Sequence, residues 1–427
     1  MRARHAVLLI VTGVVVVGAR LVFAQPATEI TVDEVVARAL ADNPDLKAVR
    51  ADVDAAVGRV RQAGLRPNPM LELGGQKALS PDNNLTVGLS LPLDLNGRKE
   101  GRVAVAEREL DIKRAQVAEI ERRLRADVRT KAGELLAARR NLAVTNDLLA
   151  VNRDALRLVG SRVGQGASPS LDESLQLVEV NRLEASRQML ASRVEIVTLQ
   201  LRALAGMVPD APLVLRGELH PGPLPTDRVE AARRALASRP DLAVSRADVA
   251  AARARIQKEQ ADGRWDATVN VGYQRQDFGF GLNGLTASGA PRPIQDVFHY
   301  FGGGVSIVLP VRNRNEGNVA AATAEARAAE RRQEFITLMI RQEVEAAFTQ
   351  YEATQRSLGV FEHGVRDVAA RNLDVVRQAY GLGRGTLLDV IAEQRRYIEI
   401  ENGYTDVLKQ AYDAAVEVER AVGSPAQ

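Results

Sequence analysis

Four segments of the chain alternate between apolar and polar residues, as β-strands with two unlike faces do. They cover residues 71–73, 85–91, 265–273 and 301–309, and the first alternates only weakly. A length of roughly nine residues suits a tilted membrane strand. Aromatic residues are scarce overall but crowd one of these regions, as at membrane interfaces: Trp265, Tyr273, Phe278, Phe280, Phe298, Tyr300 and Phe301. The pattern favours membrane strands, and a soluble antiparallel sheet with one solvated face is the alternative.

Two strand pairs in one chain cannot close a barrel by themselves. An open sheet edge facing lipid would leave unpaired backbone N–H and C=O groups. Strands in a membrane therefore require further copies of the chain to complete the wall. The sequence does not fix the number of copies.

Long proline-free stretches predict long helices. Proline is absent from Leu93 to Ser168 and again from Val311 to Ser424. A helix over residues 319–379 would be roughly 90 Å long, at about 1.5 Å per residue. Residues at two heptad positions predict coiled-coil packing there: Ile340, Ala347, Thr354, Phe361, Val368 and Val375 at one, and Val344, Tyr351, Leu358 and Val365 at the other. A soluble helical bundle is the alternative.

The chain contains an internal repeat. Three sequence patterns recur in the same order at a nearly constant offset: residues 39–46 return at 235–242, 89–93 at 307–311, and 166–172 at 383–389. We therefore predict a first repeat at 25–208 and a second at 226–427, separated by a proline-rich linker at 209–225. Each repeat holds a strand hairpin and a helical hairpin tip, at about 69–92 and 163–170 in the first, and at about 265–310 and 380–386 in the second.

The first 24 residues predict a signal peptide. Arg2 and Arg4 precede an apolar run, and Ala24 provides a small residue before the expected cleavage site. A membrane anchor is the alternative. These residues carry three arginines and no acid, so the formal charge of +3 minus 3 leaves a mature chain of net zero. Electrostatics gives no support to nucleic-acid binding.

Several motifs resemble those of the TolC-like outer membrane efflux family. The most specific are residues 63–69, which read AGLRPNP, residues 89–98, which read LSLPLDLNGR, and the glycine-rich turns at 164–172 and 381–389. The resemblance covers essentially the whole mature chain. It implies a fold that is mainly α with a β part: a homotrimer with a twelve-stranded outer-membrane β-barrel, continued by a periplasmic α-helical coiled-coil tunnel.

The resemblance also implies a function and partners. Members are passive exit ducts in the outer membrane that receive substrates from an inner-membrane pump through a periplasmic adaptor. The pump is proton-driven (RND-type) or ATP-driven (ABC-type). The first two motifs look most like the cobalt–zinc–cadmium and copper branch, so heavy-metal cations are an expected cargo. Some members of that branch carry a lipidated N-terminal cysteine, whereas this chain has no cysteine.

The resemblance assigns roles to both hairpin tips. Adaptor docking is expected at Val163, Gly164, Gly166, Ser168, Tyr380, Gly381, Gly383 and Thr386. Asp172 and Asp389 are expected at the periplasmic aperture with Arg384, and Arg162 is a further candidate partner. A helix start explains the acids equally well, because a negative charge in the first turn interacts favourably with the helix dipole. Ser168, Ser170 and Thr386 are candidate N-caps.

Other functions have weaker support. Residues 279–284 match the spacing of a dinucleotide-binding loop, but prolines follow instead of a helix, so we predict an extracellular hairpin loop. No histidine pair, cysteine or nucleophile motif predicts a metal site, a cofactor or an enzyme. The alternatives are the outer component of a type I protein or peptide secretion system and, in a different class, a periplasmic coiled-coil adaptor or structural rod.

Overall fold

The computed structural model describes residues 29–79, 82–220, 224 and 227–423. The predicted signal peptide lies outside these ranges. The first part of the chain contains β1 (Glu29–Thr31), α1 (Val32–Asp42), α2 (Pro44–Ala63), β2 (Met70–Lys77), β3 (Asn83–Pro92), α3 (Arg98–Gly164), α4 (Ser170–Leu204) and β4 (Val214–Arg216). The second part contains α5 (Arg228–Ser238), α6 (Pro240–Asp262), β5 (Asp266–Leu285), β6 (Pro291–Val308), α7 (Glu316–Val360), a π-helical segment (Phe361–Val365), α8 (Arg366–Gly381) and α9 (Leu387–Val422).

Both parts begin with two short helices separated by a break before a proline. Proline is tolerated in the first turn of a helix, where its missing N–H is not needed. Pro44 and Pro240 start α2 and α6 in this way. Asn43 caps α2 by accepting from the Leu46 amide, and its side-chain amide donates to the Leu204 carbonyl at 2.9 Å. The break thus fixes α2 against the end of α4.

Each part has its own apolar helical core. In the first, Val35, Leu46, Leu135, Val197 and Leu201 are fully buried and belong to one cluster. In the second, a corresponding cluster contains Ala235, Leu242, Ile340, Val344 and Val418. Leu46 and Leu242 end the two copies of the repeated segment, so the same positions of the repeat form both cores.

In the segment expected as a linker, the described residues 213–216 are packed on the first part of the chain. Within it, β4 pairs in parallel with β1, with Leu215 opposite Ile30. Leu213 and Leu215 are buried in the first core cluster. This strand pair holds the end of the first part against the start of the described chain.

The second sheet has the strand order β2-β3-β5-β6, and all its neighbours are antiparallel. β5 and β6 contain 20 and 18 residues, about twice the predicted length. The prediction of a loop at 279–284 is wrong, because these residues belong to β5, with an irregular register between Phe280 and Asn283. The turn lies beyond them, where Thr286 and Ala290 are hydrogen bonded. Glycines in a long hairpin arm imitate a loop pattern.

The predicted heptad describes the buried face of α7 but not that of α8. Ile340, Val344 and Ala347 are buried as expected, whereas Val368 and Val375 are 43% and 63% exposed. The buried residues of α8 are Ala369 and Leu373. Each lies one position after a heptad position, since the two heptad series continue at 368 and 372. A π-helical turn accommodates one extra residue, so the segment Phe361–Val365 shifts the register by one. Within one chain, therefore, Val368 and Val375 do not belong to the buried seam.

Candidate functional site

The four-stranded sheet has one apolar face, which the strand register defines. Residues that lie opposite each other on paired strands share a face. Two successive rows on this face read Leu71, Leu89, Val271, Gly303 and then Leu73, Val87, Tyr273, Phe301. The ring centroids of Tyr273 and Phe301 lie 5.1 Å apart, so the second row ends in an aromatic pair. This face is suited to contact with lipid.

Level with Leu71 and Leu73, the opposite face of the sheet is polar and poor in large side chains, whereas Phe278, Phe298 and Tyr300 lie on this face farther along the strands. One of its rows reads Glu72, Gly88, Gly272, Gly302, and another reads Met70, Ser90, Asn270, Gly304. Asn270 Nδ2 donates to Ser306 Oγ at 2.9 Å. Such a face is compatible with water, and it faces the interior when the apolar face meets lipid.

A polar junction connects this sheet to the helices directly below it. Arg102 donates two hydrogen bonds to Asp94, at 2.6 and 3.0 Å. The hydrogen bonds from Arg102 outweigh the effect of burial and hold the pKa of Asp94 below its usual range. Arg98 donates to the carbonyls of Asp262 and Arg264, which precede β5. The 89–98 motif therefore joins the two strand hairpins to the helical body.

The first hairpin tip lies between α3 and α4. Gly166 has a φ of +71°, which favours glycine, and its N–H donates to the Val163 carbonyl at 2.9 Å. Gly164 is the last residue of α3. The prediction that Ser168 or Ser170 caps α4 is wrong, because the cap residue is Pro169 and no side chain accepts there.

The second hairpin tip lies between α8 and α9. α8 ends at Gly381, and Gly383 has a φ of +73°. Thr386 caps α9 as predicted, in a reciprocal capping box with Asp389. The Asp389 carboxylate accepts from the Thr386 amide at 2.9 Å and from its hydroxyl at 2.7 Å. These hydrogen bonds hold the pKa of Asp389 below its usual value.

The acids at the two tips differ in their local contacts. Asp389 is exposed and engaged in the capping box, whereas Asp172 lies in the first turn of α4 without such a cap. Within the described part of one chain, neither Arg384 nor Arg162 forms an ion pair with either acid. Tyr380 is half-buried beside the exposed glycines. The structure thus explains Asp389 as a helix start, and any further role requires other copies or partners.

A buried carboxylate between the two hairpins was not predicted. Glu179 of α4 has a side chain only 1% exposed, and it binds Arg182 at 2.6 Å and Arg395 of α9 at 2.8 Å. Burial raises the pKa of Glu179, but the hydrogen bonds from both arginines outweigh it, and the pKa lies below its usual value. Glu179 lies three residues after Gln176 and four before Leu183, and both are buried. This helical spacing was the signal in the sequence that Glu179 faces inward.

A second buried carboxylate links three helices near the π-helical segment. Glu401 of α9, 2% exposed, binds Arg140 of α3 at 3.2 Å and Arg366 of α8 at 2.7 Å. The guanidinium carbons of these arginines lie 5.1 and 5.2 Å from the centroid of the Tyr404 ring. Tyr404 donates to Glu362 within the π-helical segment at 3.2 Å. This Glu401 cluster fixes the segment against α9.

No helix in the described ranges is both long and apolar enough to span a bilayer. No set of three or more His, Asp or Glu side chains there is arranged to hold a metal ion.

Comparison with known proteins decides the family. The sequence profile of the outer membrane efflux protein family matches residues 35–207 and 231–424, one segment in each part of the chain. The chain belongs to the outer membrane efflux protein family. The predicted family is confirmed.

Individual relatives of this outer membrane efflux protein agree with the assignment. It is 23% identical over 399 residues to the cobalt-zinc-cadmium resistance protein CzcC of Cupriavidus metallidurans, covering 93% of this chain and 91% of CzcC. The solved structure of CusC superposes with a TM-score of 0.74 at 16% identity, covering 92% of each chain. VceC of Vibrio cholerae gives a TM-score of 0.70 at 21% identity, with 92% of this chain and 96% of VceC covered.

Family membership fixes the general function. This outer membrane efflux protein is an outer-membrane exit channel of a tripartite efflux system, with a barrel and a periplasmic helical tunnel. It forms trimers and works with a periplasmic adaptor and an inner-membrane pump. Such channels are transport proteins and not enzymes. The predicted fold class, function and location are confirmed, and the adaptor or rod class of protein is excluded.

Proposed function

We propose that this channel exports heavy-metal cations delivered by a proton-driven inner-membrane pump. The observation that carries the proposal is the relationship to a cobalt-zinc-cadmium resistance protein along 93% of the chain. The motifs at 63–69 and 89–98 support it, since they look most like the metal branch. The channel does not need to coordinate its cargo, because tight binding would slow passage.

The cargo is tested in a strain that lacks this channel. We expect deletion to raise cellular cobalt, zinc or cadmium and lower resistance to them, with organic antibiotics little affected. Complementation with the wild-type gene restores resistance. Unchanged metal levels combined with greater antibiotic sensitivity would reject the metal proposal and leave the exit-channel function intact.

The two hairpin tips are proposed as the adaptor-docking surface. Glycines at both tips leave the backbone open to a partner, since a Cβ at Gly164, Gly166, Gly381 or Gly383 would meet no atom within 4 Å. Large apolar side chains beside the tips are also uncovered in the single chain: Leu171 is 64%, Leu382 74% and Leu388 57% exposed. Adaptor binding there would spread the tips of a trimer whose barrel contacts outer-membrane lipid, and would open the mouth.

Asp389 is proposed to line that mouth together with Asp172 and Arg384. Three copies would place a ring of carboxylates around the axis, a device that favours cations. Asp389→Asn removes the charge and keeps an acceptor for the capping box, whereas Asp389→Ala removes both. If the charge matters, both variants change single-channel conductance or cation block in planar bilayers. A change in Asp389→Ala alone would show that only the helix cap matters.

A further inference from the structure

Charged residues are divided unequally between the two faces of the four-stranded sheet. All four strands are paired over residues 70–77, 83–92, 268–277 and 297–306, which the structure describes completely. Within these segments Lys77, Arg275, Asp277 and His299 lie on the apolar face, above its aromatic row. Glu72 is the one charged residue of these segments on the polar face.

Glu72 lies at the level of the apolar rows of the sheet. Its row lies between the two rows that carry Leu71 and Leu73 on the opposite face. A Cβ built on Gly88 would lie 3.5 Å from Glu72 Cβ and 3.7 Å from its Oε2, so the side chain extends over Gly88 on the polar face. Across the described residues, no side chain donates a hydrogen bond to the Glu72 carboxylate.

We propose that Glu72 is a specificity-determining residue, which gives the membrane-level part of the channel its preference for cations. Each of three copies contributes one carboxylate to the interior, and no lysine or arginine on the polar face of the paired segments opposes it. The rest of its row is glycine, at positions 88, 272 and 302, which leaves the passage open beside each carboxylate. The proposal rests on the exit-channel function and is independent of the metal cargo.

The dimensions of a trimeric barrel allow this effect. Twelve strands spaced about 4.8 Å apart and tilted about 40° enclose a circle with a radius of roughly 12 Å. An inward glutamate then holds its charge roughly 8 Å from the axis, which is within the Debye length of about 10 Å at 0.1 M salt. At 1 M salt the Debye length is about 3 Å, so the electrostatic potential of the carboxylate is screened before it reaches the axis.

The natural absence of cysteine makes a direct test straightforward. Glu72→Cys removes the charge, a sulfonatoethyl methanethiosulfonate reagent then restores a negative charge, and the trimethylammonioethyl reagent adds a positive one. Leu73→Cys is the matched control, because its side chain lies on the opposite face. Selectivity is read as the K⁺/Cl⁻ permeability ratio from reversal potentials in planar bilayers, and mass spectrometry verifies labelling.

We expect the K⁺/Cl⁻ ratio of Glu72→Cys to fall at least about threefold at 0.1 M salt and much less at 1 M. The negative reagent should restore the ratio and the positive reagent should lower it further, while Leu73→Cys responds to neither. Glu72→Gln, which is nearly isosteric, should match the unlabelled cysteine variant and guards against misfolding. An unchanged ratio in fully labelled Glu72→Cys, or an equal response at Leu73→Cys, overturns the proposal. Neither result alters the metal-resistance test.

Discussion

Glu179 and Glu401 are carboxylates almost excluded from solvent, and each is held by two arginines. Removing one partner of a buried ion pair is costly, because the other charge loses both water and its counter-ion. The ion pair of Glu179 in α4 with Arg395 in α9 joins the helices that follow the two tips, so its loss weakens the contact between the two hairpins. Single charges therefore decide how firmly the two hairpins are joined.

The Glu179 pair predicts a pH-dependent contribution to stability. The folded-state pKa of Glu179 is lowered, so its contribution is present above the unfolded pKa of about 4.3 and is lost as pH falls through the folded value. We expect Glu179→Gln to lower the thermal midpoint in detergent at pH 7 and to match wild type more closely at pH 3. Asp154→Asn, which breaks an exposed ion pair, should change little at either pH. An equal gap between Glu179→Gln and wild type at both pH values would contradict the assignment.

At the level of elements, local patterns predicted the presence and the two faces of the strands, but neither the full length of β5 and β6 nor the register of the last long helices. Alternation at residues 265–273 depends on each strand's own two environments, so it can be read directly from the sequence. The heptad continues through Val368 and Val375 in the sequence, yet the structure buries Ala369 and Leu373. The shift comes from one π-helical turn, whose contacts with Gly403 and Tyr404 of α9 are remote in sequence. Glu179 was missed for the same reason, because Arg395 lies 216 positions away.

Because of the π-helical segment, we predict that the protein tolerates the deletion of one residue within Phe361–Val365. Removing Gly364 would convert Phe361–Val365 to α-helix and keep Ala369 and Leu373 on the buried face, since a π-turn holds one extra residue. We expect the variant to assemble as a trimer with a thermal midpoint near that of wild type. Deleting Ser192 from α4, where no such turn absorbs the change, rotates the following residues by about 100° and should abolish assembly. Loss of assembly in both deletions would show that the segment is required for packing.

At the level of the whole molecule, the sheet of one chain is an open piece of a wall. β2 and β6 are its two edges, separated by three strand spacings of about 4.8 Å each. This separation exceeds the Cα–Cα limit of about 7 Å for a disulfide, so a bond between β2 and β6 must join two copies. Crosslinking of the edges therefore reports how the wall closes.

Cysteine pairs at these edges predict a ladder that ends at three. We combine Leu73→Cys on β2 with a cysteine at one outward position of β6, in turn Phe301, Gly303, Val305 and Ile307, because the register between copies is set by the tilt of the strands. After oxidation, at least one pair should give monomer, dimer and trimer bands on a denaturing gel, and no larger product. In the matched control, Val87→Cys with Tyr273→Cys places both thiols on paired strands of one chain and should give a crosslinked monomer only. Bands beyond trimer would mean that the edges join into an open chain, and a complete absence of edge crosslinks would mean that the four-stranded sheets do not meet. A ladder that stops at three requires the third copy to return to the first, which is the geometry that removes every unpaired edge from lipid.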